Sequence, residues 1–331
     1  MPCKLRFSDK ASSRRIAAAA AIATADNTGD LQSPYATDDV GFMDSLMMQC
    51  ALPYREVKDP ATGSLADRWY RKNGRVTVMI EAGSVLTTHG MPERAGLPCG
   101  AHARLIVAHL MRYAKRYKTR AVPMGNSMNS FCRDYGIGAT GGERGTVTSL
   151  RRQAVRIAVA AWRTAVVSPD GLVTQTQSFL CDDFALQLSP LLHTEPATTK
   201  RSLRTNHWPS HVTLSQVTFD RLMDHAVPYD FRALAALSRN PRAMDIYSYL
   251  VQRLPRIRHP VTLLFDDFAH QFTQDPTSNR RLMMDATKVA LQQALAVYPA
   301  AQNAIRITRE STGIVRRTHI RMCYARSAIT S

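Results

Sequence analysis

Acidic residues are scarce in this chain: 26 Asp plus Glu stand against 43 Lys plus Arg over 331 residues, a formal net charge of +17. That balance suits a polyanion, because each phosphate neutralised by Lys or Arg releases counterions. Metal-type cysteine spacing is missing as well. The six cysteines, at positions 3, 50, 99, 132, 181 and 323, form no CxxC and no Cys/His group with zinc spacing. Their scatter fits a reducing cytoplasm, with Cys132 and Cys323 as small core residues. His207 and His211 stand four apart, but Pro209 between them argues against the helix that would aim both at one metal. No run approaches the roughly 18 apolar residues of a membrane helix. Ile16 to Ala25 follows Lys4, Arg6, Lys10, Arg14 and Arg15, yet it is mostly Ala and Thr and too weakly hydrophobic for a secretion signal. The expectation is a cytoplasmic protein with no membrane contact.

Catalytic motifs are equally thin. There is no GxxxxGK[ST] phosphate loop, no Ser elbow and no HExxH. Asp266-Asp267 looks like a carboxylate pair, but at the start of a helix it complements the dipole. Tyr113, Tyr117, Tyr247 and Tyr249 are possible strand-cleaving nucleophiles, and most fall on apolar stripes that predict core. The sequence therefore predicts no enzyme, no cofactor and no catalytic or metal-binding residue.

What the chain does contain is a repeated order of elements. Ile106, Leu110, Tyr113, Ala114 and Tyr117 run i, i+4, i+7, i+8, i+11, the spacing of one buried helix face. Ala243, Tyr247, Leu250, Val251 and Leu254 repeat that spacing 137 residues later. Each set is followed by a short extended piece, a short aromatic-bearing helix, a turn, a long helix and a basic hairpin. Phe131 and Trp162 in the first copy answer to Phe268 and Tyr298 in the second, at offsets of 137 and 136. This is the order of a winged helix-turn-helix. The predicted fold is α+β, mainly helical, with two tandem winged helix-turn-helix domains.

The predicted organisation is a flexible basic arm at 1–40, a linker or peripheral segment at 41–72 lying on the first domain, a first winged-helix domain at 73–193, a linker at 194–207, a second winged-helix domain at 208–325 and a tail at 326–331. In the first domain, Arg75 to Ile80 is a strand, the long helix spans Glu143 to about Trp162, and Ala165–Val167 and Phe179–Phe184 bracket the turn Ser168-Pro169-Asp170-Gly171. The second domain begins with a strand at His211 to Leu214. Its turn is Gln274-Asp275-Pro276, Thr277 or Ser278 caps its long helix, and the final hairpin turns near Gly313.

The chemistry lies on the long helices and wings. In the second copy Met283, Ala286, Ala290, Ala294 and Val297 form the predicted buried stripe, while Arg281, Asp285, Lys288 and Gln292 share another face. Asn279, Arg280 and Arg281 stand at the first turn, the part of such a helix that reaches base edges in the major groove. Arg pairs bidentately with guanine and Asn with adenine. The wing carries Arg306, Arg309, Arg316, Arg317 and Arg321 against Glu310 alone, which suits phosphate or the minor groove. Residues two apart share a face of a β-ribbon, so Arg316 and Arg317 point to opposite sides. In the first copy Arg144, Thr146, Thr148, Arg151, Arg152 and Arg156 are the corresponding candidates. A solvated face with i, i+4 pairs such as Arg281 with Asp285 is the plainer reading of a lone helix. The surrounding order and the basic hairpin favour DNA.

Arg94-Ala95-Gly96-Leu97-Pro98-Cys99-Gly100, with Ala103-Arg104-Leu105 after it, resembles the GLPYG…PRL segment of RepA-type plasmid replication initiators. The stretch from Trp208 through Val227-Pro228-Tyr229-Asp230 and Asp245-Ile246-Tyr247 to Arg253-Leu254 is similar to a second segment of that family. Cys99 stands where Tyr is usual and Tyr229 where Leu is usual. The resemblance covers roughly residues 75–325. It implies tandem winged-helix domains that bind short direct repeats of double-stranded DNA (iterons) at a plasmid origin. It also implies duplex opening, recruitment of the host initiator and replicative helicase, and autorepression, often as a homodimer. The alternatives are a tandem winged-helix transcription regulator and a rolling-circle nuclease, which needs a metal and a reactive Tyr.

Overall fold

A computed structural model describes residues 14, 16–18, 39–50, 52–86, 91–125, 127–142, 145–184, 211–274, 279–312 and 315–329. Most of the expected arm, the linker at 194–207, Arg144, the turn residues 275–276, Thr277, Ser278 and Gly313 lie outside them. The elements are β1 (Val40–Asp44), α1 (Ser45–Gln49), β2 (Arg68–Asn73), β3 (Val76–Glu81), β4 (Ser84–Leu86), β5 (Pro92–Arg94), α2 (Gly100–Tyr117), β6 (Ala121–Pro123), α3 (Met128–Asp134) and α4 (Thr146–Val159). Then come β7 (Ala161–Val167), β8 (Val173–Phe179), β9 (Cys181–Phe184), β10 (His211–Leu214), α5 (Gln216–His225), β11 (Ala226–Asp230), α6 (Phe231–Ala236) and α7 (Pro241–Arg253). The chain finishes with β12 (Val261–Leu264), α8 (Phe265–Gln271), α9 (Arg280–Ala296), α10 (Pro299–Gln302), β13 (Ile305–Thr312) and β14 (Val315–Met322). With 43% helix and 28% strand this is a mixed α/β protein, richer in strand than the helical periodicity suggested.

Two compact units form. The first is Leu52–Ala226; the second joins Met1–Ala51 to Val227–Ser331. The first unit is therefore inserted into the second. Long-range strand pairing is the reason, since β1 pairs with β11. Gly41 makes that approach possible: a Cβ there would fall 2.4 Å from the Tyr229 ring. Arg232 adds an ion pair to Asp39 at 3.3 Å. Residues 40–49 thus belong to the second unit, while β2 joins the first.

The first unit is built on α2, whose Leu105, Ile106, Leu110, Met111 and Ala114 are buried. Its inward face is wider than the expected stripe and excludes Tyr117, which is 56% exposed. A four-stranded sheet runs β2-β3-β7-β8, and a three-stranded one runs β6-β10-β9. The hairpin β2–β3 turns on Gly74 and Arg75, with Gly74 at φ 58° in the left-handed region that suits glycine. The long helix α4 is shorter than expected, because Ala161-Trp162-Arg163-Thr164-Ala165 alternates and pairs with β3 instead. Trp162 is consequently a strand residue facing Ile80, whereas Tyr298 sits between α9 and α10. The offset of 136 is not a structural equivalence. The strand His211 to Leu214 and helix α5, expected to open the second domain, belong to the first unit, with β10 wedged between β6 and β9. Gly83 is a close-packing point: a Cβ on it would lie 1.9 Å from the Val159 carbonyl oxygen. Backbone cannot yield there, so Gly83→Ala is expected to cost about 3 kcal/mol, read as a lower urea midpoint.

In the second unit Ala243, Tyr247, Leu250, Val251 and Leu254 are all buried. Asn240 caps α7 and Pro241 occupies its first turn. The Tyr247 hydroxyl accepts from the Asp230 amide at 3.1 Å and donates to the Asp230 carbonyl at 3.2 Å. Asn240 also donates to Gln293 at 2.7 Å, tying α7 to α9. Phe265, Phe268 and Phe272 are buried beneath, and the sheet order is β12-β14-β13. Only in this unit does the strand after the first helix close onto the hairpin; in the first unit β10 takes that place.

Candidate nucleic-acid interface

The second unit presents the N-terminal half of α9. Asn279 is its cap, with Oδ1 accepting from the Arg281 and Leu282 amides at 3.0 and 3.3 Å. Its side chain is therefore committed to the helix end and is not poised for adenine. Arg280 donates from Nε to Asp266 at 2.8 Å, which fixes α9 against α8. Arg281 is 91% exposed, with Asp285 no nearer than 4.0 Å. Lys288 Nζ lies 3.2 Å from Asp285 and 5.9 Å from the Phe265 ring centre. Gln292 is half-buried further along the same row. Thus the row Arg281, Asp285, Lys288, Gln292 shares a face as the spacing requires, but Arg281 is the cation within it that reaches furthest.

The core-facing side of α9 differs from expectation. Ala286 is exposed, and Thr287 and Leu291 take the interior with Met283, Ala290 and Ala294. Thr287 tolerates burial because its hydroxyl donates to the Met283 carbonyl at 2.9 Å. The helix is rotated so that Leu282, Ala286 and Val289 form a second outward row beside Arg281.

The hairpin supplies charge. Its register sets Arg306 opposite Arg321, Arg309 opposite Thr318, Glu310 opposite Arg317 and Ser311 opposite Arg316. Arg306, Glu310, Arg317, His319 and Arg321 share one face, and Arg309 lies on the other. Arg306, Arg309, Arg317 and Arg321 are exposed, and among the described residues none has a carboxylate within salt-bridge distance. Two like charges directly across a ladder oppose folding.

The first unit looks different. Thr146 is tied back to the turn: its amide donates to Thr140 Oγ1 at 3.0 Å, and the two hydroxyls lie 3.1 Å apart. Thr148 donates to the Gly142 carbonyl at 2.7 Å. These threonines close the glycine-rich turn. Arg152 leans toward Glu56 at 3.8 Å, and Arg151 is half-buried. Arg156 is not a surface residue at all. Its side chain is 5% exposed, and it donates to the Ala95 carbonyl at 2.7 Å, the Leu97 carbonyl at 3.4 Å and Glu56 at 2.7 Å. It leaves the set of candidate contacts, because an arginine on the helix face that packs inward meets the protein's own carbonyls first. Gln153 completes the clamp by accepting from the Cys99 amide at 2.8 Å. Arg104 holds the Leu52, Pro53 and Gly100 carbonyls at 2.5, 3.2 and 2.8 Å. The segment 95–104, with burial pushing the Cys99 thiol up, is thus a locked structural element.

A family model described as plasmid-encoded RepA protein matches residues 97–263, from the locked segment through β12. The chain belongs to this family. It is therefore a plasmid replication protein, and its helix α9 and hairpin β13–β14 follow the matched span. A comparison with curated proteins gives no match. Among the described residues no helix is long and apolar enough to cross a membrane, and no cluster of His, Cys, Asp and Glu could hold a metal ion.

Two features of this RepA-family protein escaped the sequence reading. One is the apolar row on α9, visible in principle as i, i+4, i+7 spacing from Leu282, of which the pattern places only Ala286, in the buried stripe. The other is the run Arg253, Arg256, Arg258, exposed from the last residue of α7 toward β12. Its signal was simply local charge density.

Proposed function

We propose that this protein is a non-enzymatic plasmid replication initiator that binds repeated double-stranded DNA sites (iterons) at the origin. Both units act as winged helix-turn-helix modules, with the second as the principal reader. Binding helps open the duplex and recruit the host initiator and replicative helicase, and it represses the protein's own promoter, with a homodimer as the repressing form. The cytoplasm is the site of action. One observation carries this reading: the Arg306–Arg321 pair faces outward with no acid paired to it among the described residues, in the same unit as an α9 whose first turn projects Arg281. Like charges directly opposite on a ladder destabilise it, whereas the same charges favour binding to a phosphate backbone.

Footprinting the purified protein on DNA flanking its coding region tests it. Protected short direct repeats, together with replication of a plasmid bearing that DNA, are the expected result. Protection confined to a promoter, with no replication, identifies an ordinary transcription regulator instead. Arg281→Ala is expected to weaken binding by about 1–3 kcal/mol and relax base choice at one position. An unchanged preference in the variant removes Arg281 from the reading set.

A further inference from the structure

After the committed side chains are set aside, the outward face of α9 has few polar groups left to read bases. Asn279 caps the helix, Arg280 holds Asp266, and Lys288 lies over Phe265 beside Asp285. What remains beside Arg281 is apolar. Leu282 is 68% exposed and Val289 42%, with Ala286 open between them. An exposed leucine on the first turn of the helix, next to the outstretched Arg281, has one apolar partner on a duplex. That partner is the C5-methyl of thymine, the apolar group of the major-groove edge.

We infer that Leu282 and Ala286 recognise thymine methyl groups in the major groove. This rests on the proposal that the second unit binds duplex DNA through α9. Residues i and i+4 on a helix stand about 5–6 Å apart, close to two base-pair steps of about 3.4 Å. The recognised site therefore carries two thymines within three consecutive positions, beside the base met by Arg281. Charge complementarity brings the duplex here: Arg281 on the same helix is 91% exposed, and the hairpin of the same unit carries the exposed Arg306, Arg317 and Arg321 on one face.

Uracil tests the idea, since it keeps every pairing and groove hydrogen bond of thymine and lacks only the methyl. Random duplex libraries synthesised with dTTP or with dUTP are bound to the full-length protein, and enriched sequences are compared and titrated. The parent protein is expected to bind the selected thymine duplex about fourfold more tightly for each contacted methyl, the transfer preference of one buried methyl group expressed as a ratio. Leu282→Ala is expected to lose that thymine-over-uracil preference while binding the uracil duplex as the parent does. Leu282 is exposed, so the variant folds; Val289→Ala serves as a neighbouring control. Equal binding of thymine and uracil duplexes by the parent overturns the inference and leaves the DNA reading standing. So does a preference that Leu282→Ala retains. Enrichment of no duplex at all overturns both. Equal binding accompanied by altered self-association in Leu282→Ala assigns the row to a protein contact and likewise overturns it.

Discussion

Replacing Arg156 by Ala is expected to destabilise the first unit by about 3–5 kcal/mol, the usual consequence of removing one partner from a buried charged network. The guanidinium is almost fully enclosed and joins three separated pieces of chain: Ala95 and Leu97, Glu56, and its own helix α4. Its loss strands two buried carbonyls and leaves a cavity the size of a long side chain. Trp69 and Trp162, both buried in this unit, report the change by fluorescence during urea unfolding. An unaltered midpoint would show that water replaces the guanidinium at no cost. Arg156→Met, which keeps the volume but not the donors, is expected to fall between the two. The pair also sets a pH dependence. The hydrogen bond from Arg156 holds the Glu56 carboxyl below its ordinary value of 4.5. A lowered acid contributes stability that is complete above that value and is lost as the pH falls through the lower folded-state value. Arg156→Met is expected to weaken this acid-side dependence, leaving the smaller pull of Arg152 and Lys58 on Glu56.

Opposite signs are expected for folding and binding when the hairpin pair is changed. Arg306→Glu converts the cross-strand Arg306–Arg321 repulsion into attraction and is expected to stabilise the second unit by about 0.2–1 kcal/mol. The same change places a carboxylate against DNA and is expected to lower affinity tenfold or more. A residue that served only the fold would move both quantities together. Salt titration gives the companion measurement. Affinity is expected to fall by orders of magnitude between about 50 and 200 mM salt, and the double change Arg306→Ala with Arg321→Ala reduces the log–log slope by about two, one unit for each lost phosphate contact. A slope unchanged by the double change would place the wing away from the backbone.

Much of this architecture was legible in the chain. The two first helices, the strand at 211–214, the short helix bearing Phe268 and the final hairpin are all present where the sequence pattern placed them. Those features are local, and spacing of 3.6 or 2 residues encodes them directly. The row of Arg281, Asp285, Lys288 and Gln292 was legible for the same reason. Which side chains of that region remain free was not. Asn279 and Arg280 were drawn into the cap and the α8 contact, and no spacing rule reveals that Asp266 is nearby.

By itself the sequence determined that the protein is basic, that it repeats a helix–strand–helix–helix–hairpin order, and that its arginines gather on long helices and a terminal ribbon. Tertiary structure decided that β1 pairs with β11 so that one unit interrupts the other, that β10 separates β6 from β9, that α9 turns Ala286 outward and Thr287 inward, and that Arg156 serves the fold. The division follows from distance along the chain. Neighbours within an element are fixed by backbone geometry, whereas the partner of a strand edge or a buried guanidinium is chosen by packing among residues tens to hundreds of positions away.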